Sequence, residues 1–266
     1  MSVSLIISTY NRPDALQVVL ESLTLQTHMP DEALIVDDGS KDETRILVER
    51  FIENAPTEVR HVWQEDNGFR ISRIRNLGIA NSKSDYLIFI DGDIIMHPEF
   101  VAGHMASKKT NQFIQGSRVL LSDSLTQSAI ENRRKSFSLF EEGMTNRLNA
   151  ISNRALSSVF SSKVTHLKSI RGCNFSAWRQ DLIDVNGYNE DFEGWGKEDS
   201  ELVARLLNRG LTRLNLKFGA VGYHLHHAES NKKAYSDVLA RNEAMYAKSR
   251  DEGAVYCENG LAQHLS

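Results

Sequence analysis

The sequence predicts an α/β fold, a Rossmann-like and mostly parallel sheet flanked by helices. Two observations predict it. Through the first 100 residues, short β-rich apolar runs alternate with longer runs whose apolar residues recur at helical spacing, the pattern of parallel strands joined by right-handed crossovers. Each apolar run also ends in a polar cluster, and open α/β sheets bind ligands beyond the carboxyl ends of their strands.

The elements follow in order. "VSLIIST" is the first strand. "RPDALQVVLESLTLQT" puts Leu16, Val19, Leu20 and Leu23 on one helical stripe, with Pro13 suited to the first turn. "EALIVDD" is the second strand, and "KDETRILVERFIENA" a helix with acid at its start. "TEVRHVWQ", "ISRIRNLGIANS" and "DYLIFID" read as strand, short helix and strand. "NQFIQGSRVLLS" reads as one further strand. Residues 124–165, rich in Ser, Asn and Arg, read as helix or loop with little legible chemistry. After Gly196 an acidic start and Leu202, Val203, Leu206 and Leu207 predict an amphipathic helix ending at Gly210. "TRLNLKFGAVGYHLHH" is strand material, and the tail from Lys232 to Gly253 reads as helix.

Composition bounds the function. The 266 residues, 41% hydrophobic and 25% charged, suit one large globular domain or two small ones. A net charge of -4 gives no footprint for nucleic acid. Cys173 and Cys257 are far apart and lack CxxC spacing, which argues against a disulfide framework or a Cys-rich metal site and makes a reducing cytoplasm the default. The N-terminal apolar run is short and lacks a basic lead, so it reads as a strand rather than a signal peptide. No apolar run approaches the roughly 20 residues of a membrane span. Peripheral attachment at the inner face of a membrane stays open.

The strand ends carry the chemistry. They are Ser8-Thr9-Tyr10-Asn11-Arg12, Asp37-Asp38-Gly39-Ser40, Glu65-Asp66-Asn67-Gly68 and Asp91-Gly92-Asp93. No GxGxxG or Walker loop is present, which argues against dinucleotide and P-loop enzymes. Carboxylates on either side of Gly92 can hold a hard divalent cation that bridges to a diphosphate; a polar turn is the plain alternative. Further on, "WGKEDSE" gathers Glu198, Asp199 and Glu201 at a helix start, where capping explains one acid better than three. Trp195, between Gly194 and Gly196, reads as a surface platform for a sugar ring, with a core tryptophan as the rival. Asn174 is a polar candidate nearby, or a satisfier of loop backbone. In "YHLHH", strand alternation puts His224 and His226 on one face and His227 on the other. Imidazoles there suit manganese or similar ions, or simply give pH-dependent surface polarity.

"SLIISTYNRPDALQVVLESLTLQT", "LIVDDGSKDET", "DYLIFIDGD" and "GYNEDFEGWGKEDSELVARL", in this order, resemble the inverting family 2 glycosyltransferases of GT-A fold. The last stretch resembles the acceptor region of chondroitin-polymerase-type and β-1,4-galactosyltransferase domains, and the resemblance spans about residues 3–227. It implies that Asp38 accepts the uracil N–H, and that Thr9, Tyr10, Arg12, Asn67, Arg75, Asp91 and Gly92 surround the nucleotide-sugar. Asp38 as an Asx turn before Gly39, and Arg75 as a solvated helix residue, are the alternatives; Arg73 reads as solvated. It further implies Asp93 as direct metal ligand, with Asp91 on the donor side of the same motif and His224 as third ligand (His226 and His227 being alternates). It places the general base on Asp199, with Glu198 binding acceptor hydroxyls, although their shared position at the helix start does not by itself separate the two; Trp195 and Asn174 are the acceptor candidates read from the residues above.

The implied enzyme transfers a hexose or N-acetylhexosamine from a UDP-sugar to a saccharide or lipid-linked saccharide, with Mn²⁺ or Mg²⁺, in bacterial surface polysaccharide or lipopolysaccharide synthesis. Residues 1–100 would form the nucleotide-sugar half, 101–230 the metal-completing and acceptor half, and 231–266 a helical tail. Two rival readings are a nucleotidyltransferase, which usually has a glycine- and basic-rich loop where this chain has "STYNRPDA", and a non-catalytic carbohydrate-binding protein of the same fold.

Overall fold

The computed structural model describes residues 1–227 and 236–265. β1 (Val3–Thr9), α1 (Pro13–Leu23), β2 (Glu32–Asp37), α2 (Asp42–Ile52), β3 (Glu58–Trp63), α3 (Ile71–Asn81) and β4 (Tyr86–Asp91) keep the expected alternation. They form four adjacent parallel strands in the order β3-β2-β1-β4. β1 and β2 are buried along their whole length, because helices cover both faces; strands so placed read as unbroken apolar runs. On one face Leu5 and Ile7 pack with Leu16, Val19 and Leu20 of α1. On the other, Ile6 and Val36 pack with Ile74 and Ile79 of α3.

The second half comprises β5 (Ile94–Met96), α4 (Phe100–Ser107), β6 (Gln112–Gln115), β7 (Arg118–Leu121), α5 (Asp123–Glu131), β8 (Met144–Thr145), α6 (Arg154–Phe160) and β9 (Ser162–Val164). It continues with β10 (Asn174–Trp178), α7 (Arg179–Asp184), α8 (Glu198–Asn208), β11 (Thr212–Asn215), β12 (Gly222–His224) and α9 (Ser236–Asp251). The large sheet continues β4-β10-β6-β11-β9. β10 runs antiparallel to β4 and β6, and β9 antiparallel to β11, so the sheet is mixed with a parallel majority. A small second sheet has the order β5-β12-β7-β8.

Two expected strands are therefore two strands each. "NQFIQGSRVLLS" is β6 in the large sheet and β7 in the small one, and "TRLNLKFGAVGYHLHH" divides likewise into β11 and β12. Asn174 explains where they divide. Its Nδ2 donates to Ser117 O at 2.9 Å and Ala220 O at 3.0 Å, fastening both chain segments as they leave one sheet for the other. The predicted tail helix is present as α9, while residues 232–235 of that prediction lie outside the described residues. Among the described residues no helix is long and apolar enough to cross a membrane.

Candidate active site

The carboxyl ends of β1 and β4 and the start of α8 open onto one cleft of about 440 Å³. At its floor lies Arg75, buried on α3. Its Nη2 donates to Asp91 Oδ1 at 3.0 Å, and its Nη1 to Asp199 Oδ1 at 2.9 Å. Ser8 Oγ lies 3.4 Å from its Nε, and the Tyr188 ring faces the guanidinium at 5.2 Å. One buried cation thus joins the acid at the end of β4 to an acid of α8. That pairing offsets the cost of holding two partly buried carboxylates close together.

Asp93 faces the other way. β12 pairs antiparallel with β5, setting His224 opposite Ile94, and Leu225 N–H donates to Asp93 O at 2.9 Å. His224 Nε2 lies 3.6 Å from Asp93 Oδ1, and His227 Nε2 lies 3.6 Å from Asp93 Oδ2. These three residues each offer a ligand atom within 4.8 Å of the others. Asp93 Oδ1 is buried without a hydrogen bond from the described residues, a position that a cation fills well. Burial and Arg118 draw His224 down to about 4, which leaves its ring neutral and able to ligate at pH 7. Two imidazoles and one carboxylate suit a transition ion such as Mn²⁺ better than Mg²⁺.

Also lining the cleft, the first turn of α8 carries Glu198 and Asp199. Glu198 Oε2 is buried and has no hydrogen bond from the described residues. Burial, and next the Asp199 charge, push Glu198 up to about 7. Asp199 is likewise raised by burial, against the pull of Arg75 and the Gly172 amide. Gly172 passes so close that a β-carbon there would overlap the Asp199 carboxylate. Trp195 is 40% exposed on the cleft wall and is not a core residue. Its loop takes left-handed backbone at Gly194, Gly196 and Lys197, with φ of 72°, 109° and 79°. The loop is clamped by α9: buried Asn242 donates from Nδ2 to Gly196 O at 3.0 Å and Glu193 O at 3.3 Å, and Arg241 Nη2 donates to Glu193 O at 3.0 Å.

Residues 4–161 match the family model "Glycosyl transferase family 2". The chain belongs to glycosyl transferase family 2. Residues 155–229 of this glycosyltransferase match a second model, "N-terminal domain of galactosyltransferase", which covers the acids of α8 and the histidines. Chondroitin synthase of Escherichia coli is 28% identical over 244 residues, covering 83% of this chain. The chain spans 34% of that relative's length, about a third. Solved structures share the fold: GalNAc-T7 with UDP, GalNAc and Mn²⁺ aligns with TM-score 0.65 at 14% identity, over 99% of this chain and 53% of that one. The mannosyltransferase PcManGT from Pyrobaculum calidifontis, in complex with GDP-Man and Mn²⁺, aligns with TM-score 0.62 at 16% identity, over 94% and 64%. The fold is GT-A.

The cleft of this glycosyltransferase brings together Thr9, Tyr10, Arg12, Asp38, Arg75, Asp91, Gly92, Asp93, Trp195, Glu198 and Asp199 from the sequence prediction. Four expectations need correction. Asn174 does not reach the acceptor side: it is buried, with Nδ2 spent on the two carbonyls above and Oδ1 on His104 Nε2 at 2.9 Å. Asn67 sits exposed on the loop beyond β3 and does not line the cleft. Asp91 pairs with Arg75 and lies outside the Asp93 cluster. His227, not His226, joins His224, because β12 stops at His224 and strand alternation stops with it; His226 instead faces Asp123 at 3.5 Å.

Two milder readings also change. Arg73 is not merely solvated, since its Nη1 donates to Gln64 Oε1 at 2.6 Å, and Gln64 in turn donates to Asp38 Oδ1. Asp38 Oδ2 accepts the Arg70 N–H at 2.8 Å, so it makes no Asx turn; the turn after β2 is instead closed by Asp37, whose Oδ1 accepts the Ser40 N–H at 2.8 Å. Arg118, Phe69 and the segment 170–173 also line the cleft and were missed. Each is brought there by a distant pairing, and only Gly68 before Phe69 gave a local sign of a loop.

Proposed function

We propose that this glycosyltransferase is a metal-dependent inverting enzyme that moves a hexose or N-acetylhexosamine from a UDP-sugar to a saccharide hydroxyl, in the synthesis of a bacterial surface polysaccharide or lipopolysaccharide. The observation that carries it is that one cleft gathers Asp93 and His227 of the Asp93-His224-His227 cluster together with the Glu198-Asp199 pair, while Arg75 ties Asp199 to Asp91 at the end of β4. The matched chondroitin synthase and the UDP-bound GalNAc-T7 support the donor and product class.

Asp38, Thr9, Tyr10 and Arg12 line the nucleotide side. The cluster residues would hold Mn²⁺, which when bound counters charge on the diphosphate. The acceptor sugar lies on Trp195, and Glu198 Oε2 takes a hydrogen bond from one of its hydroxyls. Asp199, fixed by Arg75 and the Gly172 amide, removes the proton of the attacking hydroxyl. The new C–O bond forms at the anomeric carbon as the bond to UDP breaks, so an α-linked donor gives a β-linked product without a covalent enzyme intermediate. A raised carboxylate is a stronger base, and burial raises Asp199.

A panel of UDP- and GDP-sugars, assayed for nucleoside diphosphate release with Mn²⁺ and saccharide acceptors, tests the reading. Acceptor-dependent UDP release is expected. Preference for GDP-sugars would overturn the role of Asp38, and release indifferent to Asp199→Asn would overturn the base.

A further inference from the structure

Between Glu142 and Asp181 the chain has no acidic residue, yet it carries Arg147, Arg154, Lys163, Lys168, Arg171 and Arg179 there, within a chain of net charge -4. The centre of this stretch is α6, and its amphipathicity is inverted. It buries Ser157 and leaves Leu156, Val159 and Phe160 38%, 73% and 56% exposed. Their spacing of three and four puts them on one stripe. The Phe160 ring meets Phe218 edge-on at 5.7 Å. Beside the stripe opens a second cleft of about 430 Å³, separate from the catalytic one, with Leu214, Leu216 and Phe218 in its lining and Lys109, Arg154 and Lys163 among its charged residues. Arg154 has Glu99 at 3.5 Å, whereas Lys109 and Lys163 form no ion pair among the described residues.

We propose that this face docks on an anionic lipid bilayer. Val159 and Phe160 enter the boundary between headgroups and acyl chains, and Lys109, Arg154 and Lys163 meet lipid phosphates. Exposed aliphatic and aromatic side chains ringed by cations fit a membrane surface, where apolar burial and attraction to anionic headgroups act together. A soluble polyanion would use the cations and leave Val159 and Phe160 in water. The same acid-free stretch runs on through Ile170, Arg171 and Gly172, which line the catalytic cleft. The inference does not depend on the proposed donor or acceptor, and its test needs no turnover.

The test is co-sedimentation of the full chain with vesicles of phosphatidylcholine alone and of phosphatidylcholine mixed with phosphatidylglycerol. Binding is expected to the mixed vesicles only, and to fall as salt rises. Lys163→Gln should weaken it about fivefold, the effect of one cation near an anionic surface. Val159→Ser with Phe160→Ser should remove most of it, with circular dichroism unchanged. No parental binding to the mixed vesicles, or equal binding by the double variant, overturns the proposal. So does displacement from the vesicles by heparin together with heparin binding that survives the double change, which would assign the face to a soluble polyanion.

Discussion

Burying a carboxylate oxygen without a donor is costly, so such oxygens mark places that await something. Asp93 Oδ1 and Glu198 Oε2 are both of this kind. Asp93→Asn should weaken UDP binding in the presence of Mn²⁺ and leave metal-free binding nearly unchanged, as read by calorimetry. His224→Ala and His227→Ala should share this signature, and His226→Ala should not. Equal affinities across metal concentrations would remove the cluster from the mechanism. Glu198 makes a second, less intuitive prediction. Its folded value of about 7 lies above the ordinary 4.5. A raised carboxylate destabilises the fold once it ionises, so the penalty is absent below the lower value, grows between the two, and is fully present above the upper one. Thermal melts without metal or nucleotide should show Glu198→Gln more stable than the parent above about pH 7, converging with it below about pH 4.5. The same variant should raise the acceptor KM. Matching melting profiles at every pH would show that Glu198 is not held in this state.

At the scale of elements, the base depends on a close passage of backbone. Gly172→Ala would drive a methyl group into Asp199. The fold and UDP affinity should persist, while kcat falls by about 10² or more, toward the size of a lost general base. Normal kcat in steady-state kinetics would show that Asp199 has room to move. What was legible in the sequence follows from how local each feature is. Asp38, Asp91 and Asp93 end strands whose own apolar runs announce them, and Glu198 and Asp199 sit where an amphipathic helix must begin. Gly172 and Arg118 have no such local sign: they reach the cleft because the segments beside β10 and at the start of β7 are brought to it from elsewhere in the chain. His227 was misplaced because periodicity was extended past the end of β12. Asn174 was assigned to a ligand because its polarity was visible and its three partners, at Ser117, Ala220 and His104, were not.

Across the whole molecule, the alternating first half was predictable because neighbouring strands are joined by single crossovers. The insertion of antiparallel β10 between β4 and β6 was not, because it depends on segments far apart in sequence. The second half is instead secured by a buried ion pair. Arg205 bonds both oxygens of Glu201, at 2.7 and 2.6 Å, as well as the carbonyls of Val185 and Gly187. Removing one partner strands the other charge, so Arg205→Ala should cost about 3–5 kcal/mol in denaturant unfolding. A loss under about 1 kcal/mol would mean that water reaches Glu201. The clamp of Asn242 on the Trp195 loop carries a consequence for the order in which the site is assembled. Chains emerge from the ribosome N-terminal end first and fold domain-wise as they do so. The nucleotide-facing strand ends are all made before residue 100, whereas the side chain that fixes Gly196 and Glu193 arrives only with α9. A nascent chain therefore presents the nucleotide-facing edge of its sheet long before His224 and His227 can join Asp93 and before its acceptor loop is fastened, so metal and acceptor sites are both completed late in synthesis.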